Sequence, residues 1–206
     1  VLPPSTRSRG QRSALLSNLM GQVITYVAQG PILMLFANDV LDLSPGRIGS
    51  ILAVIPLAAL LRIPFLRVLE SFGKIRTLLV GDAVRIAVLV ALIIIPAEAL
   101  TFGLFLSLLL ISATAGQISV GGVWQPLLRD ITTLEDRGQF FARMRFFFTV
   151  VSTGFTGIVP LVIGASITET QFKVLLGIAV LGLLNHAVWA SRIPEVRADD
   201  QTRSAD

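Results

Sequence analysis

The sequence predicts an all-α polytopic membrane protein with six transmembrane helices and both termini on the cytoplasmic side. Three observations predict it. The first is a set of apolar runs of spanning length. Ser13–Asn38, Ala99–Leu128 and Phe146–Thr168 contain no charged residue, and each exceeds the roughly 20 residues that cross a ~30 Å hydrocarbon layer as a helix. Val174–Ser191 is just long enough. Ile48–Leu66 and Thr77–Ala97 reach that length if Arg62, and Asp82 with Arg85, are carried inside. The second is composition: 53% of the 206 residues are hydrophobic, and the mean hydropathy is +0.78. The third is the placement of positive charge. With the N-terminus inside, 13 of the 17 Lys and Arg residues fall on cytoplasmic segments, and only Arg47 and Lys173 lie opposite. That bias sets N-in, C-in, as an even number of spans requires.

A net charge of +4 does not point to nucleic acid. A nucleic-acid surface gathers Lys and Arg on one soluble face, whereas here they sit in loops between apolar runs. The chain has no cysteine, which removes disulfides, thiolate nucleophiles and thiolate metal sites.

The elements follow in order. Residues 1–13, rich in Pro, Ser and Arg, read as a mobile cytoplasmic tail. Residues 14–191 form the six-helix bundle, and 192–206 form a polar cytoplasmic linker or tail. Helix one is expected from about Ala14 to Ala37, weakened or kinked at Gly30-Pro31. Ser44 and Pro45 fit the N-cap and first turn of helix two, which is expected to end near Leu69. A basic turn, Glu70–Arg76, precedes helix three, which ends before Pro96. Helix four extends to about Leu128. The largest inner loop is expected at Arg129–Gln139, with helix five beginning near Phe140 and helix six spanning Phe172–Ser191.

Charges inside spans are the first functional candidates, because each costs about 3 kcal/mol or more in hydrocarbon. Arg62 and Asp82 lie at similar depth on consecutive antiparallel helices, about 9 Å from the inner edge, so the two could pair. Asp82 could instead pair with Arg85 on its own helix face. Either arrangement fixes helix packing or takes part in gating. Gln22, Tyr26 and Gln29, spaced four and three apart, share one face of helix one. A polar stripe in an apolar span faces protein or water, and a substrate path is the functional reading. Gln117 stands near the middle of helix four among small residues that permit close approach or leave room for a cavity. Trp124 reads as an anchor or packing element. His186, the only histidine, reads as a packed neutral residue rather than a proton relay. No metal site, phosphate loop or catalytic triad is visible, so neither an enzyme nor a cofactor is indicated.

Leu66-Arg67-Val68-Leu69-Glu70-Ser71-Phe72-Gly73-Lys74-Ile75-Arg76 resembles the loop between spans two and three of the major facilitator superfamily. That loop has Gly, three residues, Asp, a base, any residue, Gly, then bases. Glu70, Gly73, Lys74 and Arg76 match it, while Leu66 and Ser71 depart from it. After span four, Asp130 and then Asp136-Arg137-Gly138-Gln139-Phe140 look like the corresponding loop in bacterial members. The resemblance implies alternating-access transport of a small solute across a bacterial cytoplasmic membrane. Spans one and four would line the path with Gln22, Tyr26, Gln29 and Gln117. Glu70, Gly73, Lys74, Arg76, Asp130, Arg137 and Gly138 would form the gate. Family members carry twelve spans, so a second six-helix bundle is expected, in the same chain or by dimerisation. The alternative is a membrane assembly or sensor subunit that does not transport.

Overall fold

The computed structural model of the chain describes residues 2–65, 72–164 and 166–195, with Gln22 and Phe65 described by their backbone only. Among these residues every regular element is helical, and the helices group into six: α1 (Pro4–Asp39), α2 (Pro45–Leu61), α3 (Lys74–Ile94), α4 (Phe102–Asp130), α5 (Leu134–Ile163) and α6 (Glu169–Ala190). Five of them, all but α2, are long and apolar enough to cross a membrane. The protein is an integral, multi-pass membrane protein. Its outer surface agrees: Phe146, Val150 and Leu161 of α5 are exposed, Leu161 at 86%. Such a surface is at home among acyl chains and is an aggregation liability in water.

The α2 helix is the short one. Its 17 residues reach about 25 Å at 1.5 Å per residue, less than the ~30 Å hydrocarbon layer. Proline explains both its interruption and its end. Pro56 removes a donor and crowds the carbonyl of Leu52, and the helix breaks at Ala53. Pro64 disfavours helix at the residue before it, and a 3-10 turn over Ile63–Phe65 follows. The expected continuation to Leu69 lies outside the described residues.

Four helices start earlier than the sequence reading placed them: α3 takes in Lys74–Arg76 of the expected basic turn, and three others extend for local reasons. Pro4 occupies the first turn of α1, a position where proline needs no N–H. That helix therefore takes in residues expected to be tail, and Gln11 Nε2 donates to the Ile131 carbonyl at 3.1 Å. At α5, the Thr133 hydroxyl accepts from the Asp136 N–H at 3.2 Å, with Glu135 and Asp136 in the first turn. This N-terminal cap and its acidic first turn shrink the expected inner loop to Ile131–Thr133. At α6, Thr168 and Gln171 form a reciprocal capping box.

The packing repeats itself. α3 and α6 lie side by side; α4 packs on α3 and α1 on α6; α2 packs on α4 and α5 on α1. Exchanging α1 with α4, α2 with α5 and α3 with α6 leaves this arrangement unchanged. The halves run in opposite directions, since α1 meets α6 through Ser17–His186 at one end and Asp39–Ile167 at the other. Matching glycines serve matching seams. A Cβ on Gly81 of α3 would overlap the Ser119 side chain of α4, and one on Gly182 of α6 would stand 3.1 Å from the Met20 Cβ of α1. Elsewhere the bundle is closed by apolar contact, including Phe36 stacked on Phe172 with ring centroids 3.9 Å apart.

The Gly81 seam has no room for a methyl group. Gly81→Ala is expected to cost about 1–3 kcal/mol through overpacking, read as a lower unfolding temperature in detergent. Ser119→Gly added to it should recover most of the loss. Gly103→Ala, with nothing within 4 Å of the added atom, should leave the temperature unchanged.

Candidate functional site: a charged core beside a polar cavity

The buried face of α3 carries Leu78, Asp82, Arg85 and Leu89 at helical spacing, and that of α6 carries Ala179, Leu183, His186 and Ala190. Antiparallel packing of these faces brings Asp82 to His186. The Asp82 Oδ2–His186 Nδ1 distance is 2.6 Å, and both side chains are buried. The two groups share one proton in this bond, whether an Nδ1–H donates to the carboxylate or a carboxyl O–H donates to the ring nitrogen. Arg85 Nη1 stands 3.8 Å from Asp82 Oδ1, an ion pair but beyond hydrogen-bond reach. Asp82 Oδ1 and Arg85 Nε have no hydrogen-bond partner among the described residues.

Of the two sequence-derived pairings for Asp82, the structure forms the one with Arg85. Arg62 is held elsewhere, because α2 packs on α4 rather than on α3. A Cβ on Gly121 would lie 2.7 Å from Arg62 Nη1 and 3.0 Å from Gln117 Oε1, so Arg62 and Gln117 converge on that glycine. The His186–Asp82 bond was not anticipated. The available signal was a single ionisable ring in the middle of an apolar run.

A cavity of about 240 Å³ lies beside this core, between α1 and α4 and reaching α3 and α6. Thr25 and Gln29 of α1, Gln117, Gly121 and Trp124 of α4, Arg85 and His186 line it. Trp124 is buried, with its ring centroid 5.3 Å from that of His186. Two of the four expected path residues, Gln29 and Gln117, therefore share one cavity. Tyr26 packs edge-on against Phe155 of α5, centroids 5.8 Å apart. Positions 26 and 29 differ by about 60° around a helix, enough to send one toward α5 and the other to the cavity. The side chain of Gln22 lies outside the described residues.

Both cavity-lining helices are interrupted. In α1, Gly30 is extended (φ −113°, ψ −154°) ahead of Pro31, as a residue before proline tends to be. In α4, Val120–Trp124 forms a π-helical turn, where Gly121 and Gly122 weaken the helix and Pro126 removes a donor.

The gate candidates lie at the end of the bundle near the α3 N-terminus. Gly73 takes a φ of +89° before α3. The Lys74 N–H donates to Glu195 Oε1 at 2.6 Å, and the Lys74 ammonium donates to Asp130 Oδ2 at 2.6 Å. Lys74 and Asp130 come from the two separate motif loops, and the structure joins them. Arg76 and Gly138 are exposed, and Arg137 is half-buried. Glu70 lies outside the described residues.

The chain is thus a helical membrane protein with a cavity lined by Arg85 and His186, behind which Asp82 is buried. Comparison with protein-family models, with curated proteins and with solved structures returns no match.

Contact at 2.6 Å should appear as energetic coupling. A double-mutant cycle of Asp82→Asn with His186→Gln, followed by thermal unfolding in detergent, is expected to give an interaction of about 0.5–3 kcal/mol. The cycle of Asp82→Asn with Arg62→Gln should give clearly less.

Proposed function

We propose that the chain is one six-span, N-in, C-in bundle of an alternating-access secondary transporter of the major-facilitator type. It moves a small solute across a bacterial cytoplasmic membrane, together with a second bundle in the same chain or in a second copy. The observation that carries this reading is the pair of broken helices, α1 and α4. They hold equivalent places in two oppositely directed three-helix halves, and their interruptions flank one polar cavity. Inverted repeats with discontinuous helices at the repeat interface are the architecture of many such transporters.

On this reading, Gln29 and Gln117 bind solute, and the buried Asp82–His186 bond is the coupling element. Moving a proton onto or off this pair changes the charge between α3 and α6, which biases one arrangement of the bundle over another. Lys74, Asp130 and Gly73 form the inner latch, with Arg76 in the first turn of α3 and Arg137 and Gly138 in the first turns of α5 beside it.

Because the chain has no cysteine, single-cysteine labelling tests this directly. Gln29→Cys and Gln117→Cys should react with a membrane-impermeant maleimide from one side at a time, and the reactive side should shift when a pH gradient is imposed. Ser8→Cys should react only from the cytoplasmic side. Labelling of both cavity positions that is indifferent to the gradient would instead support a static assembly or sensor subunit.

A further inference from the structure

We infer that the cavity takes a small organic carboxylate. The inference rests on the transport reading for its physiological sense, and on the charge arrangement for its chemistry.

Arg85 is 7% exposed, lines the cavity, and has no hydrogen-bond partner at Nε among the described residues. Its one acidic neighbour among the described residues is Asp82, at 3.8 Å. Asp82 is fully buried, is not part of the cavity lining, and commits its other oxygen to His186 at 2.6 Å. The guanidinium fork is therefore only partly satisfied by protein. Guanidinium groups bind carboxylates through parallel N–H···O bonds, and an unsatisfied buried donor is costly until something accepts from it.

A second cation sharpens the count. Arg62 Nη1 approaches Gly121, which also lines the cavity, and Arg62 Nε is likewise buried without a hydrogen-bond partner among the described residues. Among the described residues, two guanidinium groups stand around this region against the one carboxylate of Asp82. Positive charge is thereby left for a ligand to balance. In a low-dielectric surrounding this favours a monoanion over a neutral or cationic solute. Gln29 and Gln117 add amide donors and acceptors, and Trp124 supplies an aromatic wall. The volume sets the size. Roughly 150 Å³ holds benzene, so about 240 Å³ accommodates an aromatic or short-chain monocarboxylate.

The test uses the full chain in lipid nanodiscs with Trp189→Phe, which leaves Trp124 as the only fluorophore of its kind. Benzoate, benzamide and benzylamine serve as anionic, neutral and cationic probes of one shape, and inorganic phosphate is the competing oxyanion. Benzoate is expected to change Trp124 emission saturably and to bind at least tenfold more tightly than benzamide or benzylamine. Arg85→Gln should weaken benzoate by about 10- to 100-fold, the worth of a charge-assisted hydrogen bond, with benzamide little affected. Gln117→Leu, which leaves the charges in place, should weaken benzoate and benzamide alike. Equal binding of benzoate and benzamide by the unsubstituted cavity overturns the inference, whether or not Arg85→Gln folds. So does phosphate binding more tightly than benzoate, or the absence of saturable binding. Arg85-dependent benzoate binding without gradient-dependent cysteine labelling would keep the carboxylate site and remove the transporter. Gradient-dependent labelling with no preference for benzoate would do the reverse.

Discussion

A carboxylate buried in the middle of an apolar bundle has to be partnered, and the packing of α3 on α6 is organised around that need. Asp82 has no exposure, and its strongest contact is the 2.6 Å bond to His186. Removing one partner of such a pair strands the other in a low-dielectric medium, at a cost of several kcal/mol. The bond therefore fixes the register of α3 against α6. Neighbouring contacts share that register: the His186 carbonyl accepts from Ser17 Oγ at 3.0 Å, and Asn185 Nδ2 donates to the Leu16 carbonyl at 2.9 Å. The Asp82–His186 bond and the neighbouring Ser17 and Asn185 bonds thus tie α3, α6 and α1 into one seam. The wall of the cavity opposite the α4 break is set by that seam.

The two halves of the bundle solve the same packing problem with different residues. Each third helix offers a glycine to the first helix of one half, Gly81 to α4 and Gly182 to α1. Each first helix is broken where it faces the cavity. The means of breaking differ: a Gly-Pro pair ejects α1 from helical geometry, while α4 widens into a π turn without losing direction. Broken helices leave backbone groups free of the regular ladder, which membranes tolerate where protein or water surrounds them. Both breaks lie beside the one cavity that also carries Arg85, Gln29 and Gln117.

The apolar runs made most of this architecture legible. Their length and lack of charge located the helices, and Gly30-Pro31 marked its break correctly. Three boundaries were misplaced because cap residues were weighed less than hydrophobicity. Thr133 with Asp136, and Thr168 with Gln171, are readable start signals, and Pro4 is another. The Arg62–Asp82 alternative failed because sequence neighbours were assumed to be packing neighbours. α2 and α3 are consecutive, but α2 lies on α4. The His186–Asp82 bond joins residues 104 apart, and no periodicity within either helix encodes which face of α6 meets which face of α3. Polarity and helical spacing point to Gln29 and Gln117, but the same spacing places Tyr26 on the face of Gln29 and cannot separate the two.

The distribution of interaction strength says which parts of the molecule are built to hold and which to let go. The Asp82–His186 bond is buried, with side-chain exposures of 1% and 8%. The Lys74–Asp130 contact is equally short, but its side chains are 28% and 14% exposed, and ion pairs within reach of water contribute only about 0–1 kcal/mol. Their worth falls further with salt. Glu195 reaches the same turn from beyond α6, by one hydrogen bond to the Lys74 backbone. The end of the bundle that joins the α2–α3 turn, the α4 terminus and the segment after α6 is therefore closed by contacts that thermal motion can break, while the seam behind the cavity is not. For a transporter of the kind we propose, that is the ordering required: a latch weak enough to release, and a charged core stiff enough that its protonation state, rather than local fraying, decides the conformation. A scaffold meant only to dock other proteins would gain nothing from placing its most costly buried charges against an open polar cavity.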